Sequence, residues 1–256
     1  MNYTFRPNIW MTLATLATMA LCIKAGLWQY NKAELKQSLQ TQLNARLAEP
    51  PKTLTDNLIA DKLIAGKILD LGNLRYRRVK FTGIYDTRFQ VLLDNQVENT
   101  VAGYHVFTPM QVEGSQVYVL VNRGWIKGSS DRNPPVVIAP QGRQDIEGDI
   151  GLPAKNFFTL EAPPEKNGKW QPMLQNQVWQ HLDMQRFIQS VPFAVQPFVV
   201  RLDAKSKAGG FVRNWPAPGE RVSMHLGYAY QWFGFALTLL VIYIVLNVKQ
   251  KPLIPK

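Results

Sequence analysis

The sequence from Leu226 to Val248, LGYAYQWFGFALTLLVIYIVLNV, contains 23 residues and no charged side chain. At a rise of about 1.5 Å per residue, a helix of this length crosses the ~30 Å hydrocarbon layer of a membrane. The stretch therefore predicts a transmembrane helix at 225–248. The apolar stretch at 9–23 reaches a full span when 24–28 is added, because a lysine can extend its ammonium group to the interface. This predicts a first transmembrane helix at 9–30.

The first span has two alternatives, a cleavable signal peptide and a lipoprotein leader. A signal peptide would end in a small-x-small site, whereas Lys24-Ala25-Gly26-Leu27-Trp28 supplies charge and bulk. Lipidation at Cys22 would be preceded by a better cleavage residue than Leu21. The sequence therefore favours an uncleaved anchor.

Charge placement predicts the orientation of the two spans. Neither tail contains an acidic residue. The N-terminal tail carries Arg6, and the C-terminal tail carries Lys249, Lys251 and Lys256. By the positive-inside rule, the tails at 1–8 and 249–256 face the cytoplasm or matrix. The segment at 31–224 then lies outside, in a periplasm or an intermembrane space.

Composition excludes several classes of protein. Hydrophobic residues make up 46% of the chain, which is too many for a disordered protein. Five of the 29 basic residues lie outside the segment at 31–224, which leaves 24 basic against 18 acidic residues there. This modest positive excess suits an anionic membrane surface better than nucleic acid. The one cysteine, Cys22, falls in the first span. The outer segment therefore has no disulfide and no thiolate metal site.

The outer segment begins with a helical lead-in at 31–71 and continues as strands. Leucines at 35, 39, 43 and 47 recur every four residues, as in an amphipathic helix that continues the anchor, and Pro50-Pro51 ends it. A second leucine-rich stretch runs from Leu54 to Leu71. Runs rich in β-branched and aromatic residues follow at 77–82, 90–93, 104–108, 117–121, 144–150 and 194–201.

Two further local signals interrupt these strands. Glu113-Gly114-Ser115 predicts a hairpin turn, and Asp183 predicts the N-cap of a short helix at 184–190. Pro-rich loops are predicted at 129–142 and 161–172. The fold class that follows is an α+β membrane protein in which two transmembrane helices flank a β-rich, antiparallel extracytoplasmic domain.

The mouth of the second span carries the residues most suited to binding. His225, Tyr228 and Trp232 are spaced 0, 3 and 7 and share one helix face. This face offers an imidazole, a phenol and an indole to a flat, partly apolar ligand such as a haem, with Arg221 close enough to reach a propionate. Gly227 and Gly234 would admit a close helix or macrocycle. From spacing alone, an interfacial aromatic belt with a solvated histidine is the favoured alternative.

Other candidates for chemistry are weaker. His105 and His181 lack partners at ligand spacing and are interpreted as structural or exposed polar residues. Arg123 and Trp125 form either a docking surface for a partner or a structural turn, with Gly124 at positive φ and Arg123 paired to an internal carboxylate. The sequence contains no hydrolase, zinc-protease or nucleotide-binding motif, so no enzyme is expected.

Taken together, these segments resemble the surfeit locus protein 1 family, assembly factors for cytochrome c oxidase. The resemblance rests on five segments in order: Gly26-Leu27-Trp28-Gln29; Arg78-Val79 leading to Gly83-Ile84-Tyr85; Gly103-Tyr104-His105-Val106-Phe107-Thr108-Pro109; Val121-Asn122-Arg123-Gly124-Trp125; and His225 with Tyr228-Ala229 and Trp232-Phe233. It covers nearly the whole chain and includes the two-span topology.

The resemblance implies a non-catalytic role in respiratory-chain biogenesis. It implies transient binding of haem a through His225 and its insertion into oxidase subunit I, in contact with haem a synthase and membrane lipid. A bacterial inner-membrane member is expected, since the N-terminus has no transit-peptide composition. Two alternatives stay open: a docking scaffold that holds no haem, and a two-span protein of the polysaccharide co-polymerase type.

Overall fold

The computed structural model describes residues 3–54, 71–129, 133–152 and 177–250. The chain divides into two compact units, one formed by Met1–Gln42 with Pro216–Lys256 and the other by Leu43–Trp215. Nearly all of the predicted helix at 54–71, the loop at 161–172 and the end of the C-terminal tail lie outside the described residues.

In chain order, the helices are α1 (Ile9–Ala48), α2 (Met184–Ser190) and α3 (Val222–Asn247). The strands are β1 (Tyr3–Phe5), β2 (Lys52–Thr53), β3 (Arg78–Tyr85), β4 (Val91–Glu98), β5 (Val101–Val112), β6 (Val117–Lys127), β7 (Gln144–Gly151), β8 (Gln177–Trp179), β9 (Ala194–Leu202) and β10 (Val248–Gln250).

The first unit is a pair of long helices. Helices α1 and α3 are both long and apolar enough to cross a membrane, and most of each apolar stretch is exposed to its surroundings. Helix α1 begins after Asn8, whose side-chain oxygen accepts hydrogen bonds from the backbone N–H of Trp10 (2.9 Å) and Met11 (3.4 Å). It continues without a break to Ala48, so the predicted lead-in is helical to that point.

Small residues line the contact between α1 and α3. Cys22, Gly26 and Ala33 are buried on α1, and Ala229 and Ala236 are buried on α3. A β-carbon added at Gly26 would lie 2.5 Å from Cε1 of Phe233, so glycine leaves room on α1 for this ring of α3.

The glycines predicted to allow close approach on α3 do not serve that purpose between these helices. A β-carbon added at Gly227 or Gly234 would meet no atom within 4 Å in the described part of the chain. Both glycines therefore face outward, and Gly26 on α1 is the packing glycine.

At the other end of the pair, β1 and β10 form a two-stranded antiparallel sheet, and the Thr12 and Tyr243 hydroxyls hydrogen-bond at 2.7 Å.

The second unit is built on a closed ring of five strands, in the order β3-β5-β6-β9-β7 and back to β3. Four of the five neighbouring pairs are antiparallel, as predicted, and β6 with β9 is parallel. A closed ring with an odd number of strands cannot alternate direction throughout, so one parallel pair is unavoidable. If the ring strands β3, β5, β6, β7 and β9 are renumbered 1 to 5 in chain order, their order around the ring is 1-2-3-5-4. This is the arrangement of an OB-fold barrel.

Three strands extend the sheet outside this ring. Strand β4 pairs antiparallel with β5, β8 pairs parallel with β4, and β2 pairs parallel with β3. The described sheet is therefore β-rich and mainly antiparallel, as predicted, with parallel pairings at β2–β3, β4–β8 and β6–β9 that the prediction did not include. The predicted hairpin turn joins β5 to β6, with Gly114 at φ +74°, a conformation that glycine adopts without strain.

The barrel interior forms the main core. Alternate residues of all five ring strands meet there, including Phe81, Met110, Val121, Ile146 and Val200. A second core lies on the opposite face of β6 and β9, where α2 contributes Phe187. The side chain of Asp183 caps α2 as predicted, accepting from the backbone N–H of Gln185 and Arg186. Because both faces of β6 are covered, most of that strand is buried.

Candidate functional site

His225 lies in the first turn of α3. The chain enters this helix through Arg221 in the left-handed conformation, at φ +67°, and the backbone N–H of His225 donates to the carbonyl of Arg221 at 3.1 Å. Two contacts from α1 hold this entry: Lys36 Nζ donates to the carbonyl of Glu220 (3.0 Å), and Gln40 Oε1 accepts from the N–H of Gly219 (2.8 Å). The backbone that carries the imidazole is therefore fixed to the other helix.

The imidazole of His225 is oriented by a side chain on α1. Its Nδ1 lies 2.7 Å from Oε1 of Gln29. An amide oxygen can only accept a hydrogen bond, so Nδ1 carries the ring proton and donates it. In the neutral imidazole, the lone pair then belongs to Nε2. Metal-binding histidines are commonly arranged in this way, with one nitrogen donating to a neighbouring oxygen and the other free to ligate.

The other predicted site residues differ in how exposed their side chains are. Tyr228 is 47% exposed, and Arg221 is exposed as well, so both side chains are accessible to a ligand. Trp232 is half-buried and makes an edge-to-face contact with Phe235, with ring centroids 5.8 Å apart. The structure thus pairs His225 with Gln29 and Trp232 with Phe235, and leaves the phenol of Tyr228 on an accessible surface.

Arg123 and Trp125 do not form the exposed surface that a docking role requires. The side chain of Arg123 is 1% exposed and that of Trp125 is 9% exposed. Arg123 follows Val119 and Val121 on the inward face of β6, which places a guanidinium in the barrel. Gly124 has φ +111°, in agreement with the structural interpretation of this turn.

Among the described residues, the partners of Arg123 are neutral groups rather than the carboxylate that the sequence suggested. Nη2 donates to the carbonyls of Gly209 (2.7 Å) and Ile138 (2.8 Å), and Nη1 donates to Gln90 and Thr108. The guanidinium also lies 5.0 Å from the ring of Phe211. Arg123 therefore ties two loops to the barrel.

Tyr85 also lies next to the Arg123 guanidinium and contributes to the same network. Its ring centroid lies 5.2 Å from the Arg123 guanidinium. Burial raises the pKa of Tyr85 to about 12, so its hydroxyl stays protonated and donates to the carbonyl of Ala208 at 3.0 Å.

Comparison with known proteins identifies the family. The model of the SURF1 family matches residues 16–237, which is most of the chain. The chain belongs to the SURF1 family. A SURF1-like protein of Rickettsia felis is 26% identical over 91% of this chain and 95% of the relative. Surfeit locus protein 1 of mouse is 24% identical over 89% of this chain and 72% of the relative, and that of human is 25% identical over 82% and 69%.

Gln29 is the residue at this site of the SURF1-family chain to which the sequence analysis assigned no binding role. It belongs to the Gly26-Leu27-Trp28-Gln29 segment, where it looks like the polar end of an apolar span. Its role follows from the pairing of two helices whose sequences are far apart. A polar side chain on the same helix face as Gly26 and Ala33 was the available signal in the sequence.

His105 and His181 lie in the β-domain, as the structural interpretation requires. His105 Nδ1 is 3.4 Å from the side-chain nitrogen of Asn122, and its ring packs edge-on against Trp215. His181 lines a cavity of about 360 Å³ together with Asn122 and Arg201. Within the described residues, no three His, Cys, Asp or Glu side chains are grouped to hold a metal ion.

We expect His105 to make the β-domain less stable in mild acid. Burial lowers the pKa of His105, and the opposing effect of the Glu98 charge is smaller. The unfolded chain, with a histidine pKa of about 6.5, therefore takes up the proton before the folded chain does. The stability contributed by the neutral ring is full above that pKa and falls as the pH drops below it.

Thermal unfolding of the full chain at pH 7.5 and 5.5 tests this, with the parent compared to His105→Gln. The parent should lose about 1 kcal/mol more than the variant over this interval. Equal losses in the two proteins would contradict the assignment to His105.

Proposed function

We propose that this SURF1-family protein assists the assembly of a haem-copper terminal oxidase by holding haem a at His225 and passing it to oxidase subunit I. The observation that carries the proposal is the hydrogen bond between Gln29 Oε1 and His225 Nδ1, which leaves Nε2 as the ring nitrogen able to bind iron.

The surrounding residues suit a large, partly apolar ring with acidic substituents. The exposed phenol of Tyr228 and the indole of Trp232 offer apolar surface for a macrocycle. The exposed guanidinium of Arg221, one helical turn before His225, can pair with a propionate. A single protein ligand on an accessible helix face favours release, as a carrier requires.

The two apolar helices support a location in the membrane, and the bacterial relative supports a bacterial one. In this proposal, both tails face the cytoplasm and the β-domain lies in the periplasm, because the positive-inside rule places the basic tails inside. The partners are membrane lipid, haem a synthase as the source of haem a and subunit I as its recipient. The protein acts without catalytic turnover of its own.

Replacing His225 with Ala should remove haem a from the purified protein. The full chain is produced together with haem a synthase, purified in detergent, and its haem a content is measured by absorption spectroscopy. We expect the parent to be coloured and His225→Ala to retain about a tenth of its haem a or less, since the axial nitrogen is lost.

Tyr230→Ala is the matched control, because Tyr230 is 65% exposed on the same helix but is not among the proposed ligand contacts. It should retain haem a. Unchanged haem a content and spectrum in His225→Ala would refute ligation by this residue. A colourless parent that still supports oxidase assembly would identify a docking scaffold instead.

A further inference from the structure

We propose that Gln29 is a positioning residue that fixes the tautomer of His225 and thereby presents Nε2 to the haem iron. This inference rests on the proposed function for its last step. Its first step, the control of the tautomer, concerns only the side chains of the helix pair and can be tested without haem.

The contact between Gln29 and His225 is a direct side-chain hydrogen bond from α1 to α3. Their side chains meet at 2.7 Å although the residues are separated by 196 positions in the sequence. Both side chains are half-buried, so water competes less for this hydrogen bond than it would at an open surface.

Close packing on both sides holds the two side chains in place. Gln29 lies three residues after Gly26, which contacts Phe233, and four residues before Ala33, which is 2% exposed. These spacings put the three α1 residues on one face. On α3, Ala229 is one turn beyond His225 and is fully buried. The amide of Gln29 therefore reaches the imidazole from the packed face of α1.

The chemical consequence concerns which ring nitrogen can bind a metal. A neutral imidazole carries one proton, and the nitrogen that carries it has no lone pair to donate. With Gln29 accepting from Nδ1, the proton is held away from Nε2. Without that acceptor, the proton is free to move to Nε2, and the tautomer that can ligate through Nε2 becomes less populated.

The tautomer is read directly from ring nitrogen chemical shifts in the detergent-solubilised full chain. The chain has three histidines, so labelling histidine with nitrogen-15 gives a small set of signals, and His225→Ala assigns those of residue 225. We expect the Nδ1–H form in the parent, a mixture with more Nε2–H form in Gln29→Met, and return of the Nδ1–H form in Gln29→Glu, whose carboxylate also accepts.

Gln231→Met is the matched control, because Gln231 is an exposed glutamine on α3 near the same site. It should leave the His225 tautomer unchanged. A merely structural role for Gln29 would alter helix packing without a change of tautomer. If Gln29→Met keeps the parent's Nδ1–H form, the inference is overturned.

Titration of the same proteins with haem a completes the test. Gln29→Met should bind about 10-fold to 100-fold more weakly than the parent, with Gln29→Glu restoring the affinity, as for other residues that orient a metal ligand. If His225→Ala lowers the affinity but Gln29→Met does not, the Gln29 inference fails and the proposed function stands. If His225→Ala leaves the affinity unchanged, the proposed function fails, and the presentation of Nε2 to iron fails with it.

Discussion

Replacing Arg123 with Met should destabilise the β-domain by about 3 kcal/mol or more, because two buried and two partly buried acceptors lose their donor and the barrel loses a packed side chain. The carbonyls of Gly209 and Ile138 accept from this guanidinium, and so do the side chains of Gln90 and Thr108, which also hydrogen-bond to each other at 2.8 Å. Methionine fills part of the volume but donates no hydrogen bond. Each buried group left unsatisfied costs about 1–3 kcal/mol.

Denaturant unfolding of the full chain, followed by tryptophan fluorescence, measures this loss. Arg143→Met is the matched control, since the Arg143 side chain is 67% exposed and pairs with Glu113 at the surface, where such pairs contribute about 0–1 kcal/mol. Arg123→Lys should recover little, because one ammonium group cannot serve acceptors in several directions. An Arg123→Met protein within about 1 kcal/mol of the Arg143→Met control would contradict the role assigned to this network.

Substituting Gly26 with Val should force α1 and α3 apart. The nearest atoms to an added β-carbon all belong to the ring of Phe233, the closest at 2.5 Å. Overpacking of this kind costs about 1–3 kcal/mol. Cys22, the only cysteine in the chain, is 7% exposed one turn before Gly26 on the packed face of α1. Its alkylation by N-ethylmaleimide therefore reports separation of the helices.

We expect Gly26→Val to accelerate alkylation of Cys22 about tenfold, the change that about 1.4 kcal/mol produces in an opening equilibrium. Adding Phe233→Ala should restore slow alkylation, because it removes the ring that the new side chain meets. Gly234→Val is the matched control on α3, since a β-carbon there meets nothing within 4 Å in the described structure. Fast alkylation in the control, or none in Gly26→Val, would be inconsistent with the packing described.

Local patterns predicted the individual elements well. The uncharged run of α3 and the leucine spacing of α1 depend only on neighbouring residues, and so does the Asp183 cap of α2. The positions of β3 to β7 and of β9 followed from runs rich in β-branched and aromatic residues. The short strands β1, β2, β8 and β10 were missed, because two or three residues are too few to show a period.

The arrangement of those elements depends on contacts that local patterns do not encode. The parallel pairing of β6 with β9 follows from closing five strands into a ring, which no single strand reveals. Arg123 was interpreted either as a docking residue or as the partner of an internal carboxylate, since arginine is rarely buried without a charged partner. The His225 site was predicted from helical spacing, whereas its contact with Gln29 requires the pairing of α1 with α3.

The parallel pairing of β6 with β9 also bears on how the domain folds. Strand β6 ends at Lys127 and its partner β9 begins at Ala194. During synthesis, the backbone hydrogen-bonding groups on this edge of β6 therefore stay unpaired until β9 has been made. Non-local pairing of this kind slows folding, and an unpaired apolar strand is a template for association between chains. Truncation before Leu202 should therefore yield an aggregation-prone product, and a nascent chain of this length is the stage at which a chaperone would be needed most.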